Sequence, residues 1–194
     1  MDMKSKILLF NTTADDLVDI QERLSATNYD IVVVTSDLSE VSRVSLAGTV
    51  DLVMAVTDKR FDQLFSCVQQ MNVHAPVPVV IFTYDDSRDV IQLAIKAGVS
   101  AYIVDGLQAK RVSSILDTAR FRFNEQQSIK NELEKAKNTL NERKLIDRAK
   151  GILMQRSKIT EDAAYKAMRK MAMDKNIKMA NLAQSVISAS ELMK

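Results

Sequence analysis

One cysteine, Cys67, and one histidine, His74, stand in 194 residues, so the chain can form no internal disulfide and no Cys/His zinc site. Cys67 falls on the apolar face of a helical segment and reads as inert core; His74, just before Pro76, reads as a loop residue without a role. Two prolines and four glycines leave long stretches without a breaker, and no phosphate-cradling glycine loop occurs. With no nucleophile–base constellation and no metal-ligand set, the expectation is a non-enzyme without cofactor or metal. No apolar run approaches the ~20 residues a membrane span needs. Met1-Asp2-Met3-Lys4 leads directly into a strand-like segment, unlike a secretory signal. A cytoplasmic protein with no membrane partner is expected.

The net charge of +2 hides an uneven distribution. Residues 1–123 carry 12 basic and 16 acidic side chains, residues 124–142 carry 3 and 4, and residues 143–194 carry 12 and 5. Positive charge is concentrated in the last quarter, where a polyanionic partner would meet it.

Short β-branched runs at Ile7–Phe10, Ile31–Thr35, Leu52–Val56, Val77–Phe82 and Ala101–Val104 alternate with segments of helical spacing. The helical segments carry Leu17, Ile20 and Leu24; Val41 and Val44; Phe61, Leu64, Phe65 and Val68; Val90, Leu93 and Ala94; then Val112, Ile115, Leu116 and Ala119. This alternation implies an α/β domain over residues 1–123, with a doubly wound, flavodoxin-like sheet of five parallel strands.

From Val112 to about Met154 the only breaker is Gly151, and good helix formers dominate. Ile129, Leu133, Ala136 and Leu140 recur at four- and three-residue intervals, flanked by Glu132, Glu134, Lys135 and Lys137. Residues 124–142 therefore read as a coiled-coil linker helix forming a parallel homodimer. Beyond Leu140 the stripe shifts to Leu145 or Ile146, Ala149, Ile152 and Leu153, where residues 143–194 begin a small three-helix domain. Thr160 is the expected N-cap of its second helix, with Glu161 and Asp162 in the first turn, and a third helix starts near Met179. Met154, Met168, Met171 and Met173 recur at helical spacing and are expected in the core.

The run RKLIDRAKGILMQR from Arg143, then EDAAYKAMRKMAMDKN from Glu161, then LAQSVI from Leu182, closely resembles the ANTAR domain, the RNA-binding output module of the AmiR/NasT family of antitermination regulators. The resemblance extends over nearly the whole chain, because that family pairs a receiver or pseudo-receiver with a coiled coil before this module. RDVIQLAIKAGVSAYIVDGL, from Arg88, is more similar to the NasT branch. It implies paired hairpins of a leader mRNA as ligand, and a nitrate- or nitrite-responsive sensor protein as regulatory partner. The candidate RNA contacts are Arg148, Lys150, Gly151, Arg156, Arg169 and Lys170. Gly151 either admits a close backbone or relaxes helix packing; the sequence leaves both open. A DNA-binding response regulator and a signalling adaptor are the alternatives, although the largely apolar third helix makes a poor major-groove probe.

Against the receiver pattern the first domain is degenerate. Asn11 and Thr12 occupy the positions of the Mg²⁺-binding acidic pair, Val56 that of the phosphoacceptor aspartate and Asp105 that of the lysine; Thr83 keeps the hydroxyl position. Hard cations need carboxylate oxygens and valine cannot be phosphorylated, so control by phosphorylation is expected to be lost. Asp58, assisted by Asp15 or Asp16, is an alternative acceptor; the other reading of Asp15 and Asp16 is helix N-terminal charge.

Overall fold

The computed structural model describes residues 4–13, 18–58, 62–104, 107–108 and 110–192. Asp15, Asp16, Leu17, Phe61, Asp105 and Gly106 lie outside the described residues. The chain divides into two compact units, Met1–Gln127 and Ser128–Lys194.

The first unit alternates β1 (Ser5–Asn11), α1 (Val18–Ser25), β2 (Tyr29–Thr35), α2 (Leu38–Leu46), β3 (Leu52–Val56), α3 (Asp62–His74), β4 (Val79–Phe82), α4 (Arg88–Ala97) and β5 (Ala101–Ile103). The strands form one parallel sheet in the order β2-β1-β3-β4-β5. The central strands are covered on both faces, which is why β1, β3 and β4 read as unbroken apolar runs: Ile7 to Phe10, Leu52 to Val56 and Val79 to Phe82 are all buried. Each such large side chain contributes about 1.5–3 kcal/mol on burial. One face packs Leu8, Phe10, Val53 and Ile81 against α2, α3 and α4. The other packs Ile7, Leu9, Met54 and Phe82 against α1 and the start of the long helix α5 (Val112–Ser157), through Val112, Leu116 and Ala119.

Edges and termini follow local chemistry. Edge strand β2 alternates in burial, and its register against β1 jumps from Ile7↔Ile31 to Leu8↔Val33. Val32 is thereby the extra residue of a bulge and lies 44% exposed. The fourth strand begins at Val79 and not at Val77, because Pro78 has no N–H for the ladder, although its carbonyl accepts from the Val53 N–H at 2.9 Å. His74 is the last residue of α3 and not a loop residue; the helix stops there because Ala75 precedes Pro76. Gly98 closes α4 at φ 84°, and a Cβ there would collide with the Asn72 amide, which donates to the Ala97 carbonyl at 2.8 Å.

In the second unit, the later part of α5 packs with α6 (Glu161–Asp174) and α7 (Met179–Leu192). Its core joins Ala149, Met168, Ala172, Leu182, Ala183 and Ile187, with Leu145, Ile146, Ile152 and Leu153 against it. Thr160 caps α6, its Oγ accepting from the Ala163 N–H at 3.3 Å. Of the methionines expected inside, Met168 is buried, but Met171 and Met173 are 47% and 69% exposed. The buried face of α6 is Ala164, Met168 and Ala172, and the other two methionines point off that stripe.

Candidate nucleic-acid interface

The basic residues of the second unit fall into two classes. Arg148 donates from Nη2 to Glu191 Oε1 at 2.7 Å, joining α5 to α7. Arg156 donates from Nη2 to the Ser190 carbonyl at 3.2 Å, joining the end of α5 to the last turn of α7. Lys150 Nζ lies 2.7 Å from both Asp147 Oδ1 and Glu161 Oε1, and its side chain is only 15% exposed. Hydrogen bonding to Asp147, then to Glu161, holds the Lys150 ammonium above its ordinary pKa, while the same Lys150 contact lowers the Asp147 carboxyl. These three residues clamp α5 to its neighbours, and Lys150 is the one most thoroughly engaged.

Arg169 and Lys170 on α6 are exposed and make no ion pair among the described residues, and the same holds for Lys144, Lys175 and Lys178. Lys166, by contrast, pairs with Asp162 at 2.6 Å. Lys175 and Lys178 follow α6 and flank the turn into α7. Both belong to the basic run on and after α6 that the sequence already shows, in which Asp174 is the sole acid between residues 163 and 190.

A Cβ placed on Gly151 would meet nothing within 4 Å, so no packing among the described residues requires glycine there. Glycine inside a helix costs about 1 kcal/mol relative to alanine, and no close approach among the described residues offsets it. Ile129, Leu133, Ala136 and Leu140 are all exposed on the single chain, the three larger ones by 52–60%. At 100° per residue, Leu133, Leu140 and Gly151 fall within about 20° of one another around α5.

At the carboxyl ends of the first unit's strands, Asn11 sits opposite Val56 in the ladder, and the Thr12 N–H donates to the Val56 carbonyl at 3.1 Å. The Asn11 carboxamide is used locally: its Oδ1 accepts from the Thr13 N–H at 3.0 Å and the Thr13 hydroxyl at 2.9 Å. Val56 is 4% exposed and belongs to the core. Thr83 is buried, its Oγ accepting from the Asp85 N–H at 3.2 Å, and the Tyr102 hydroxyl donates to the Asp85 carbonyl at 2.9 Å. Burial pushes the Tyr102 phenol up, and the nearby Asp85 charge adds to that. Asp58 is exposed. Among the described residues, no three His, Cys, Asp or Glu side chains gather in a metal-binding group, and no helix is long and apolar enough to cross a membrane.

Residues 134–187 match the family described as the ANTAR domain. The chain is 28% identical over 183 residues to the transcriptional regulatory protein PdtaR of Mycobacterium tuberculosis, covering 94% of this chain and 89% of that protein. It is 35% identical over 88 residues to a nitrate regulatory protein of Klebsiella oxytoca, covering 45% of this chain and 22% of that protein. The receiver domain of AraT, a response regulator of Geobacillus stearothermophilus, superposes with a TM-score of 0.52 at 18% identity, covering 64% of this chain and 99% of its own. A receiver domain of a diguanylate cyclase from Desulfovibrio desulfuricans superposes with a TM-score of 0.53 at 13% identity, over 63% and 98%. The structural matches establish a receiver-like fold for the first unit.

Proposed function

We propose that this chain, a receiver-like fold joined to an ANTAR domain as in the AmiR/NasT family, is a cytoplasmic antitermination regulator without enzymatic activity. Its ANTAR domain binds paired hairpins in a nascent leader RNA and stabilises a fold that excludes the terminator. The observation that carries this reading is the set of unpaired cations on the second unit: Lys144, Arg169, Lys170, Lys175 and Lys178 have no carboxylate partner among the described residues. Such charge favours a phosphate backbone, which releases counterions when it is neutralised. The unit has a single aromatic residue, Tyr165, and no strand among its described residues, which offer no base-stacking sheet.

The exposed seam of Ile129, Leu133, Ala136 and Leu140 supports a parallel dimer that presents one ANTAR domain to each hairpin. Gly151, close to the seam's azimuth, admits either the second helix or an RNA backbone. With Asn11 and Val56 in place of carboxylates, phosphorylation is not the control. A ligand-sensing partner protein of the nitrate or nitrite type fits, in keeping with the name of the Klebsiella relative.

The test is a salt-titrated gel shift with the operon's own leader RNA. Arg169→Ala/Lys170→Ala lowers affinity about tenfold and flattens the salt slope, since two phosphate contacts are lost. An unchanged affinity and slope in that variant removes this face from the interface. Failure of the parent protein to bind leader RNA at all overturns the reading.

A further inference from the structure

The turn between α6 and α7 forms a groove of about 450 Å³ lined by Arg169, Met173, Asn176, Ile177 and Lys178 among others. Its lining includes the helix-ending motif that closes α6. The Asn176 N–H donates to the Met173 carbonyl at 3.0 Å and the Ile177 N–H to the Ala172 carbonyl at 3.0 Å, which places Asn176 at φ 50°. The backbone of this turn is therefore satisfied, while the Asn176 carboxamide makes no hydrogen bond among the described residues. An amide with a free donor and a free acceptor stands beside an apolar wall made by Met173, 69% exposed, and Ile177, 39% exposed. Tyr165, Arg169 and Met173 follow at four-residue spacing along one face of α6, and Tyr165 is 42% exposed.

We propose that this groove takes one unpaired nucleobase from the loop of an RNA hairpin and is the sequence-reading subsite of the domain. The inference rests on the RNA-binding reading above and adds where a base is read. A flat apolar base covers the thioether of Met173 and the side chain of Ile177. Its hydrogen-bonding edge meets the Asn176 carboxamide, which supplies one donor and one acceptor in the plane that a base edge presents. Arg169 and Lys178 flank the groove and take the phosphates on either side of that nucleotide, and Tyr165 offers its ring to a neighbouring base. An acidic peptide would satisfy the two cations but would leave the carboxamide and the thioether wall without a specific use.

The test uses the full-length chain and a synthetic pool of RNA hairpins with a fixed stem and a randomised loop. The pool is selected on the parent protein, and the winning hairpin is then scanned with an abasic nucleotide at each loop position. Two variants probe the groove without disturbing the fold. Asn176→Gly keeps the left-handed backbone and removes the amide, and Met173→Ala shortens an exposed side chain. Each is expected to weaken the selected hairpin about tenfold, the order of one lost base–protein contact, and to leave stem-only RNA within twofold. One abasic position is expected to be non-additive with both variants, so that the combination costs no more than either change alone. Strict additivity at every loop position, with the parent protein still binding the selected hairpin, overturns the subsite and leaves RNA binding standing. If the pool yields no binder and an acidic peptide is captured instead, both readings fall.

Discussion

Lys150 on α5 and Glu161 on the first turn of α6 are joined by a 2.7 Å ion pair, and the same ammonium contacts Asp147 at 2.7 Å. A lysine held by two carboxylates at the helix junction is expected to act as a fastening of the three-helix unit more than as a phosphate contact. Lys150→Met, which keeps most of the apolar stem, is therefore expected to lower the unit's thermal midpoint by a few degrees. Its effect on hairpin affinity is less than threefold at a temperature where the variant is folded, against about tenfold for Arg169→Ala/Lys170→Ala. Calorimetry and a gel shift on both variants check this ranking.

The same cluster sets a pH dependence. Asp147 titrates below the ordinary 3.8, so its contribution to stability is present above that value and is lost as pH falls through the lowered folded pKa. Lys150 titrates above 10.5, so its contribution is fully present below that value and is lost as pH rises through the raised one. Between the two the contribution is flat. Asp147 is half exposed, so solvent screening keeps the amplitude small. Denaturant titration of parent and Asp147→Asn is expected to show a stability difference at neutral pH that disappears on acidification.

An aspartate introduced at Val56 is not expected to make the first unit a phosphoacceptor. Val56 is 4% exposed in an apolar cluster, and Asn11, its ladder partner, supplies a carboxamide already engaged by Thr13. Val56→Asp is expected to destabilise the first unit by about 2 kcal/mol or more, through burial of a polar group. It is also expected to stay unlabelled by a small acyl phosphate with Mg²⁺. Stable labelling of the variant, or of the parent at Asp58, would contradict the account of a degenerate receiver.

The exposed seam makes a further demand on α5. Leu133→Glu/Leu140→Glu is expected to shift the protein to monomer in analytical ultracentrifugation and to weaken binding to paired hairpins far more than to a single hairpin. Gly151→Ala is expected to raise helix stability by about 1 kcal/mol while lowering hairpin affinity or dimerisation, because the added methyl occupies space that is open in the single chain. If Gly151→Ala raises stability and leaves both functions intact, the glycine has no role at a contact.

Much of the architecture was legible because burial on two faces leaves a plain mark. Ile7–Phe10, Leu52–Val56 and the apolar stripes of α2 to α4 announce parallel strands and covering helices directly. Thr160 with Glu161 and Asp162 marked the start of α6, and Ala149, Ile152 and Leu153 marked its partner face on α5. What escaped depended on tertiary placement. The pairing of Lys150 with Asp147 is visible at three-residue spacing, but that of Lys150 with Glu161 requires the turn after Ser157 to bring α6 back along α5. Met171 and Met173 share the helical period of Met168 only loosely, and the width of the buried stripe, set by small Ala164 and Ala172, left them outside. Asn176 stood out in the sequence in no way, and its free carboxamide emerges only when the turn's backbone hydrogen bonds are accounted for.

The measurement that tests the central claim most directly is the binding constant of the full-length protein for a paired-hairpin leader RNA and for DNA of matched sequence, across a range of salt concentrations. The account predicts tight RNA binding that weakens log-linearly with salt, well above binding to the DNA duplex, and a loss of about tenfold on Arg169→Ala/Lys170→Ala. Equal affinity for duplex DNA and RNA, or no binding to either at physiological salt, would contradict it.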